Sequence, residues 1–332
     1  ALVDRWDRRL TMMLSDLAAG LSTLALLALY ASGNLQIWHI YAASAFSGLF
    51  QAFQWPAYSA AITTMLPKEQ YARANGMLSM AQAGSTILGP PLAALLLGVV
   101  DLVGVMLLDV ASFVVAVGAL LLVQIPKPVR TEAGREGQGN LLKEAAYGFR
   151  YILERPSLLA LQLVFTSGNL LFSLVTPLLV PMILARTGGN EMAVGSVQAV
   201  LGVGMLAGAV LLSAWGGPDR RINGVLGGWA CTMVPLIFFG LGQTTWVWAA
   251  SALAVGFFGP IINGSNQAIW QAKVAPDVQG RVFSVRGLIA QVTAPLGMLL
   301  AGPLADRVFE PAMVSGGRLA TAFGGLVAPV SG

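Results

Sequence analysis

Nine stretches of this chain stay apolar for long enough to cross a lipid bilayer, and no other property limits its fold as strongly. They lie at about 10–32, 38–60, 75–97, 102–125, 157–184, 193–215, 222–243, 245–270 and 282–303. A hydrocarbon core ~30 Å thick needs roughly 20 residues of helix rising ~1.5 Å each. In lipid an isolated strand would leave its backbone N–H and C=O groups without partners, so each stretch is expected to be an α-helix. The fold class that follows is an all-α membrane protein.

Composition agrees. Hydrophobic residues are 56% of the 332 and charged residues only 10%, against roughly 45–50% and about 25% in soluble domains. A net charge of +4 and a pI near 9.5 would also suit a nucleic-acid binder. Here, however, the basic residues sit in short clusters between apolar runs, so the bilayer, not nucleic acid, is the expected partner. Alternate connections, at 1–9, 61–74, 126–156, 216–221 and 271–286, hold sixteen of the nineteen lysines and arginines; the opposite side holds Arg186, Arg307 and Arg318. Positive charge collects on the inner face, so the first set is predicted to be cytoplasmic and the protein a multi-pass component of the cell (inner) membrane. Trp38, Trp246 and Trp248 fall near outer helix ends and Trp215 near an inner one.

The single cysteine, Cys231, and single histidine, His39, leave no internal disulfide and no cysteine- or histidine-based metal site. The chain contains no Gly-x4-Gly-Lys-Ser/Thr loop for ATP and no metalloprotease or nucleophile-elbow motif. Neither cofactor, metal nor enzymatic activity is expected. The segment "LGVGMLAG" (201–208) superficially resembles a dinucleotide loop, but its spacing differs and it lies inside an apolar run. Gly204 and Gly208 are read instead as a helix-packing face.

The longest connection, 126–156, begins as a Gly- and charge-rich linker. From Leu141 to Leu153 its apolar spacing predicts an amphipathic helix on the membrane surface. An internal repeat divides the chain there. At a shift of 204 residues "PLAALLLG" (91–98) meets "PLGMLLAG" (295–302), Phe53 and Pro56 meet Phe257 and Pro260, and Gly76 meets Gly280. At a slightly larger shift Asp7-Arg8-Arg9 recurs as Asp219-Arg220-Arg221. Parallel repeats of this size predict two similar bundles, 1–125 and 157–332, joined by the 126–156 loop. The second copy has two helices before its Asp-Arg-Arg and the first has none. The expectation is therefore that two helices precede residue 1 and that a last one follows the Gly-rich end.

Three places resemble the major facilitator superfamily, more narrowly the branch containing macrolide efflux and enterobactin exporters. "ALVDRWDRR" (1–9) is similar to the loop motif between the second and third helices of that fold. In helix 75–97, Gly76, Ser85, Gly89-Pro90 and Ala93-Ala94 match the spacing of the antiporter motif of the fifth helix, with Ser for one Gly and Ala-Ala for a Gly pair. "VAPDVQGRVFSVRGL" (274–288) looks like the approach to the eleventh helix. The resemblance implies two pseudo-symmetric six-helix bundles, of which the nine stretches would be the third to eleventh helices.

Several roles follow from that resemblance. Asp4, Arg5, Arg8 and Arg9 would latch the inner face, although Arg8 and Arg9 serve equally well as topology charges. The face Gly76, Ser85, Gly89, Ala93 and Ala94 would bring the fifth helix close to the second bundle, with Pro90 bending it. Asp16 and Asp109 interrupt apolar helices and are candidates for proton coupling. Structural hydrogen bonding is the competing role for Asp109, and pairing with the loop arginines that for Asp16. The cavity of this fold is lined by its first, fourth, seventh and tenth helices. That places Gln51, Gln54, Tyr58, Gln162, Asn169, Asn263 and Asn266 as candidate substrate contacts. With no acid or base among them, they suit a neutral or amphiphilic ligand. The expected function is a monomeric secondary transporter, exporting a hydrophobic drug-like or siderophore-like small molecule in exchange for protons. A nutrient importer, or a non-transporting receptor or scaffold, are the alternatives.

Overall fold

The structure, a computed structural model, describes residues 7–126, 141–314 and 317–323, and every regular element among them is helical. In chain order these are α1 (Arg8–Ala31), α2 (Ile37–Met65), a 3-10 turn (Lys68–Gln70), α3 (Tyr71–Leu122), α4 (Leu141–Leu153), α5 (Pro156–Thr187), α6 (Glu191–Trp215), α7 (Arg221–Leu241), α8 (Thr245–Lys273) and α9 (Gln279–Leu304). A π-helical turn, Ala305–Phe309, and two short helices, α10 (Glu310–Met313) and α11 (Arg318–Phe323), follow.

Each of the nine apolar stretches is helical. α3 holds two of them in 52 residues and is broken at Asp101 (φ 55°, ψ 179°), a conformation unfavourable for any residue with a Cβ. Among the described residues, seven helices, α3 counted as one, combine the length and apolarity needed to span a membrane. α2 has 29 residues but is not one of the seven; His39, Gln51 and Gln54 dilute its apolar run. Prolines stand inside α2, α3, α5, α7, α8 and α9. Membrane helices tolerate them because neighbouring helices and hydroxyl side chains satisfy the freed backbone groups. Glycines in the left-handed region end α5 (Gly188, φ 66°) and α6 (Gly216, φ 86°), where their lack of a Cβ lets the terminal carbonyls be capped.

Large apolar side chains cover the outside, Val115 at 71% exposure and Leu299 at 72% among them. Such a surface belongs against lipid. Trp38 and Trp246 are exposed, as interfacial tryptophans should be, but Trp248 is fully buried and donates its indole N–H to Gly242 O at 3.1 Å. It is a core residue of the α5–α6–α7–α8 cluster, which also holds Ile183, Val197 and Phe239.

Gly204 and Gly208 do form a packing face. A Cβ on Gly208 would meet the backbone of Phe257, with its carbonyl carbon only 2.8 Å away, and one on Gly204 would lie 3.0 Å from the carbonyl carbon of Leu253. α8 answers with Gly256, whose Cβ would lie 3.0 Å from Met205 N. The two backbones are in contact, the arrangement that small residues permit in membranes.

The amphipathic helix spans Leu141–Leu153 as expected, and part of its apolar face is covered by protein while Phe149 and Leu153 remain exposed. Tyr151 and Ile152 are buried in a cluster with Leu158, Trp270, Val278 and Val282, and Gly148 sits where a Cβ would lie 2.8 Å from Arg281 O. α4 is thus docked on the start of α9 through its Gly148, Tyr151 and Ile152 side.

Cys231 is exposed from the protein near the middle of α7, about 15 Å from either end of the helix at ~1.5 Å per residue. It therefore faces lipid. Membrane-impermeant maleimides are expected to leave it unlabelled in intact membranes and to label it after denaturation in detergent. Rapid labelling in intact membranes would place it in a water-filled path instead.

Candidate functional site

α1, α2 and α3 come from the first half of the chain and α5 to α9 from the second. They meet where α3 packs along α6 and α8, and where α2 meets α9. An apolar cluster of Ile62, Tyr71 and Ala72 with Leu212, Ile261 and Ala268 bridges the halves. The closest approach is at Gly76, where a Cβ would lie 2.6 Å from Ser213 N. Farther along α3 the expected small-residue face does not make this contact. Ser85, Ala93 and Ala94 are exposed, and a Cβ on Gly89 would meet nothing within 4 Å. The contact there is made by Ile87, whose Cγ1 would lie 2.9 Å from a Cβ on Gly202. Pro90 lies within α3, but the sharp break comes at Asp101.

Beside Gly76 a buried polar network crosses between the halves at the end of the bundle that carries loops 61–74 and 271–286. Gln271 is its centre. Its Oε1 accepts from Asn75 Nδ2 at 2.8 Å, and its Nε2 donates to Ser59 O and Oγ at 3.3 and 3.2 Å. Thr63 Oγ1 donates to Gln279 Oε1 at 2.9 Å, and Gln279 Nε2 donates to Gln271 O and Val274 O. Gln267 Nε2 donates to Ser59 Oγ at 2.5 Å. Amides suit this place: each offers donors and an acceptor without a charge to desolvate.

Two arginines reinforce the same end. Arg8, buried, donates to Ala60 O at 2.6 Å on its own half and to Pro276 O at 2.5 Å on the other. Arg221 donates to Glu69 O at 3.1 Å from the opposite direction, and also to Gly216 O in its own loop. The repeated Asp-Arg-Arg triplets thus each send one arginine across the divide. Arg9 instead donates to Leu121 O at 2.6 Å, at the carboxyl end of α3, where a cation is favoured. Asp7 caps α1 by accepting from Arg9 N. Asp4 and Arg5 lie outside the described residues.

Next to this network is a cavity of about 300 Å³ lined by Trp55 of α2, by Asn75, Leu78, Ser79 and Gln82 of α3, by Asn263, Gly264 and Gln267 of α8, and by Phe283, Arg286, Gly287 and Ala290 of α9. Asn263 is the one expected substrate contact in this lining. Gln51 and Tyr58 are exposed, and Gln54 donates to Asp16 Oδ1 at 2.7 Å. Asn266 is buried and accepts from Trp270 Nε1 at 3.1 Å. Gln162 donates to Thr166 Oγ1 at 3.3 Å, and Asn169 is half-buried on α5, away from this lining. The cavity is walled by α2, α3, α8 and α9, so the expected contribution of the 157–184 helix is not part of it.

The two intramembrane acids are likewise committed elsewhere. Asp16 accepts from Gln54, not from the loop arginines, and Asp109 Oδ2 accepts from Thr23 Oγ1 at 2.8 Å. Both tie α1 to a neighbour, and neither lines the cavity.

The residues that build this site were mostly not legible as such. Asn75 and Gln279 stand at equivalent positions of the 204-residue repeat, directly before the matched Gly76 and Gly280, and that coincidence was the available signal. Arg286 falls among the loop charges in the sequence, although it lies within α9, seven residues from its start.

Comparison with known proteins agrees with this architecture. The family profile of the Major Facilitator Superfamily matches residues 1–298. Macrolide efflux protein A of Streptococcus pyogenes is 28% identical over 311 residues, covering 92% of this chain and 76% of that protein. Multidrug efflux pump Tap of Mycolicibacterium fortuitum is 27% identical over 330 residues, covering 92% and 76%. The crystal structure of the human organic anion transporter MFSD10 (TETRAN) superposes with a TM-score of 0.70 at 16% identity, over 90% of this chain and 71% of that one. Helical architecture, the closure between halves and the profile match lead to one assignment: this chain belongs to the Major Facilitator Superfamily of membrane transporters.

Proposed function

We propose that the chain exports an amphiphilic, drug-like small molecule by alternating access, in exchange for protons. The observation that carries this reading is a cavity between the halves whose floor is sealed, at one end, by hydrogen bonds crossing from one half to the other. Such a seal is what alternating access must break and remake as two bundles rock about a fixed site. The sealed end is the one rich in lysine and arginine, so it faces the cytoplasm, and the described state is the one closed inward. Arg8 and Arg221 then act as the latch, and the halves 1–125 and 157–332 are the moving bodies. The efflux activities in the names of the similar proteins support an outward direction. The mixture of amides with Trp55, Leu78 and Phe283 supports an amphiphilic cargo. Asp16 and Asp109 are assigned to bracing α1.

The test is accumulation of a panel of labelled amphiphiles, a macrolide among them, in a pump-deficient host expressing the native protein. Lower accumulation, restored by a protonophore, is the expected result. Raised accumulation of a panel member would show an importer, and an unchanged panel would remove the transport reading.

A further inference from the structure

Among the described residues, Arg286 is the only charged one in the cavity lining. It lies about 10 Å along α9 from the sealed end at ~1.5 Å per residue. Its Nη1 donates to Gln267 Oε1 at 2.5 Å, and its guanidinium carbon lies 5.1 Å from the centre of the Trp270 ring. Both neighbours are neutral. No carboxylate among the described residues forms an ion pair with it, and the two intramembrane acids, Asp16 and Asp109, accept from Gln54 and Thr23 instead.

A guanidinium offers five N–H donors and does not discharge by losing its proton. At bilayer depth a cation without a countercharge is expensive, and intramembrane arginines characteristically pair or serve a ligand. Here Gln267 takes one donor and Trp270 lies against one face of the group, and the residue lines the cavity. Gln267 also fixes its position, since its Nε2 is held by Ser59 while its Oε1 receives Arg286. The cation is thus preorganised by the same residue that ties the two halves together. Trp55 of α2 and Phe283, one turn before Arg286 on α9, supply apolar walls to the same cavity.

Resting on the reading of this cavity as the substrate site, we infer that it takes an amphiphile carrying a single anionic group, a carboxylate or sulfonate, which pairs with Arg286 while its apolar body lies against Trp55 and Phe283. This departs from the neutral ligand that the amides of the expected helices suggest. Binding such a group would also engage Gln267, and so link occupancy of the cavity to the seal beneath it.

The experiment uses the native protein in lipid nanodiscs with phenylnaphthylamine, a neutral fluorescent amphiphile, as reporter. Naphthoate and naphthamide, which share a shape and differ in charge, are the competitors. In the wild type naphthoate should displace the reporter at a concentration about tenfold or more below that for naphthamide, the scale of one charged pair. Arg286→Gln should weaken naphthoate about tenfold or more beyond any change in reporter or naphthamide, which removes the difference, and Arg286→Lys should retain part of it. Equal potency of the two competitors on the wild type overturns the inference, whether or not Arg286→Gln can be purified. So does an equal loss for both competitors in a folded Arg286→Gln protein. If chloride abolishes the advantage of naphthoate without moving naphthamide, the position belongs to an inorganic anion and the substrate class assigned here is overturned. Failure of the reporter itself to bind would instead remove the cavity as a substrate site.

Discussion

Gly208→Leu is expected to prevent the second half of the chain from assembling. At this position a single added carbon would already lie 2.8 Å from the Phe257 carbonyl carbon and 3.1 Å from its Cα. Backbone on α8 cannot rotate away as a side chain can. Gly256 holds the reverse contact against Leu201 and Met205, so separating α6 from α8 to admit a leucine breaks the entire interface. Overpacking a well-filled site costs typically 1–3 kcal/mol, and more where no relaxation is available; a loss above about 3 kcal/mol is expected here. Leucine is itself favourable in lipid, so insertion should survive while folding fails. Gly227→Leu is the matched control: that glycine is exposed on α7, and a Cβ there meets nothing within 4 Å. Thermal unfolding and size-exclusion profiles in detergent separate the two. A monodisperse Gly208→Leu protein with a wild-type melting temperature would show that the helices are not in backbone contact.

The second large effect concerns the seal. Gln271→Leu should shift the protein away from the state in which this end of the bundle is sealed. The substitution keeps approximate size but removes the acceptor of Asn75 Nδ2 and the donor to Ser59. Polar contacts within membrane bundles contribute roughly 0.6–2 kcal/mol each, so losing two or three shifts a two-state population by about tenfold or more. Spin labels at Lys68 and Arg220, exposed at the same end of opposite halves, would report a longer distance in most molecules. Ser59→Ala should produce a smaller shift, and the double variant less than the sum, since both remove one contact. An unchanged distance distribution in Gln271→Leu would mean that the network fills space without holding the halves together.

How much of this was readable beforehand depended on the range of the physics involved. The nine helices were legible because the bilayer imposes length and apolarity on each stretch separately, and Gly204 with Gly208 because small residues one turn apart have few other uses in lipid. The repeat drew attention to Gly76, and Gly76 does make a close approach between halves. By contrast, the same spacing rule carried along α3 to Gly89 and Ala93 met open space, because a motif states which residues are small and not how far the facing helix extends.

The candidate site shows the limit more sharply. Amides on α2, α5 and α8 look alike in the sequence, yet Gln54 serves Asp16, Gln162 serves Thr166 and Asn266 serves Trp270, while Asn263 and Gln267 line the cavity. Which partner a polar side chain finds is decided by rotation and offset between helices, and a few degrees suffice to exchange a cavity for a neighbour. The apolar face of α4 was evident from its spacing, but whether lipid or α9 would cover it depended on where 126–156 delivers the helix. Local properties, namely hydropathy, helix length and the charge asymmetry of the loops, were determined by the sequence alone, since each acts within one segment. The seal and Arg286 in the cavity wall come from segments up to 268 residues apart, and only their packing against one another turned a loop charge and scattered glutamines into a site.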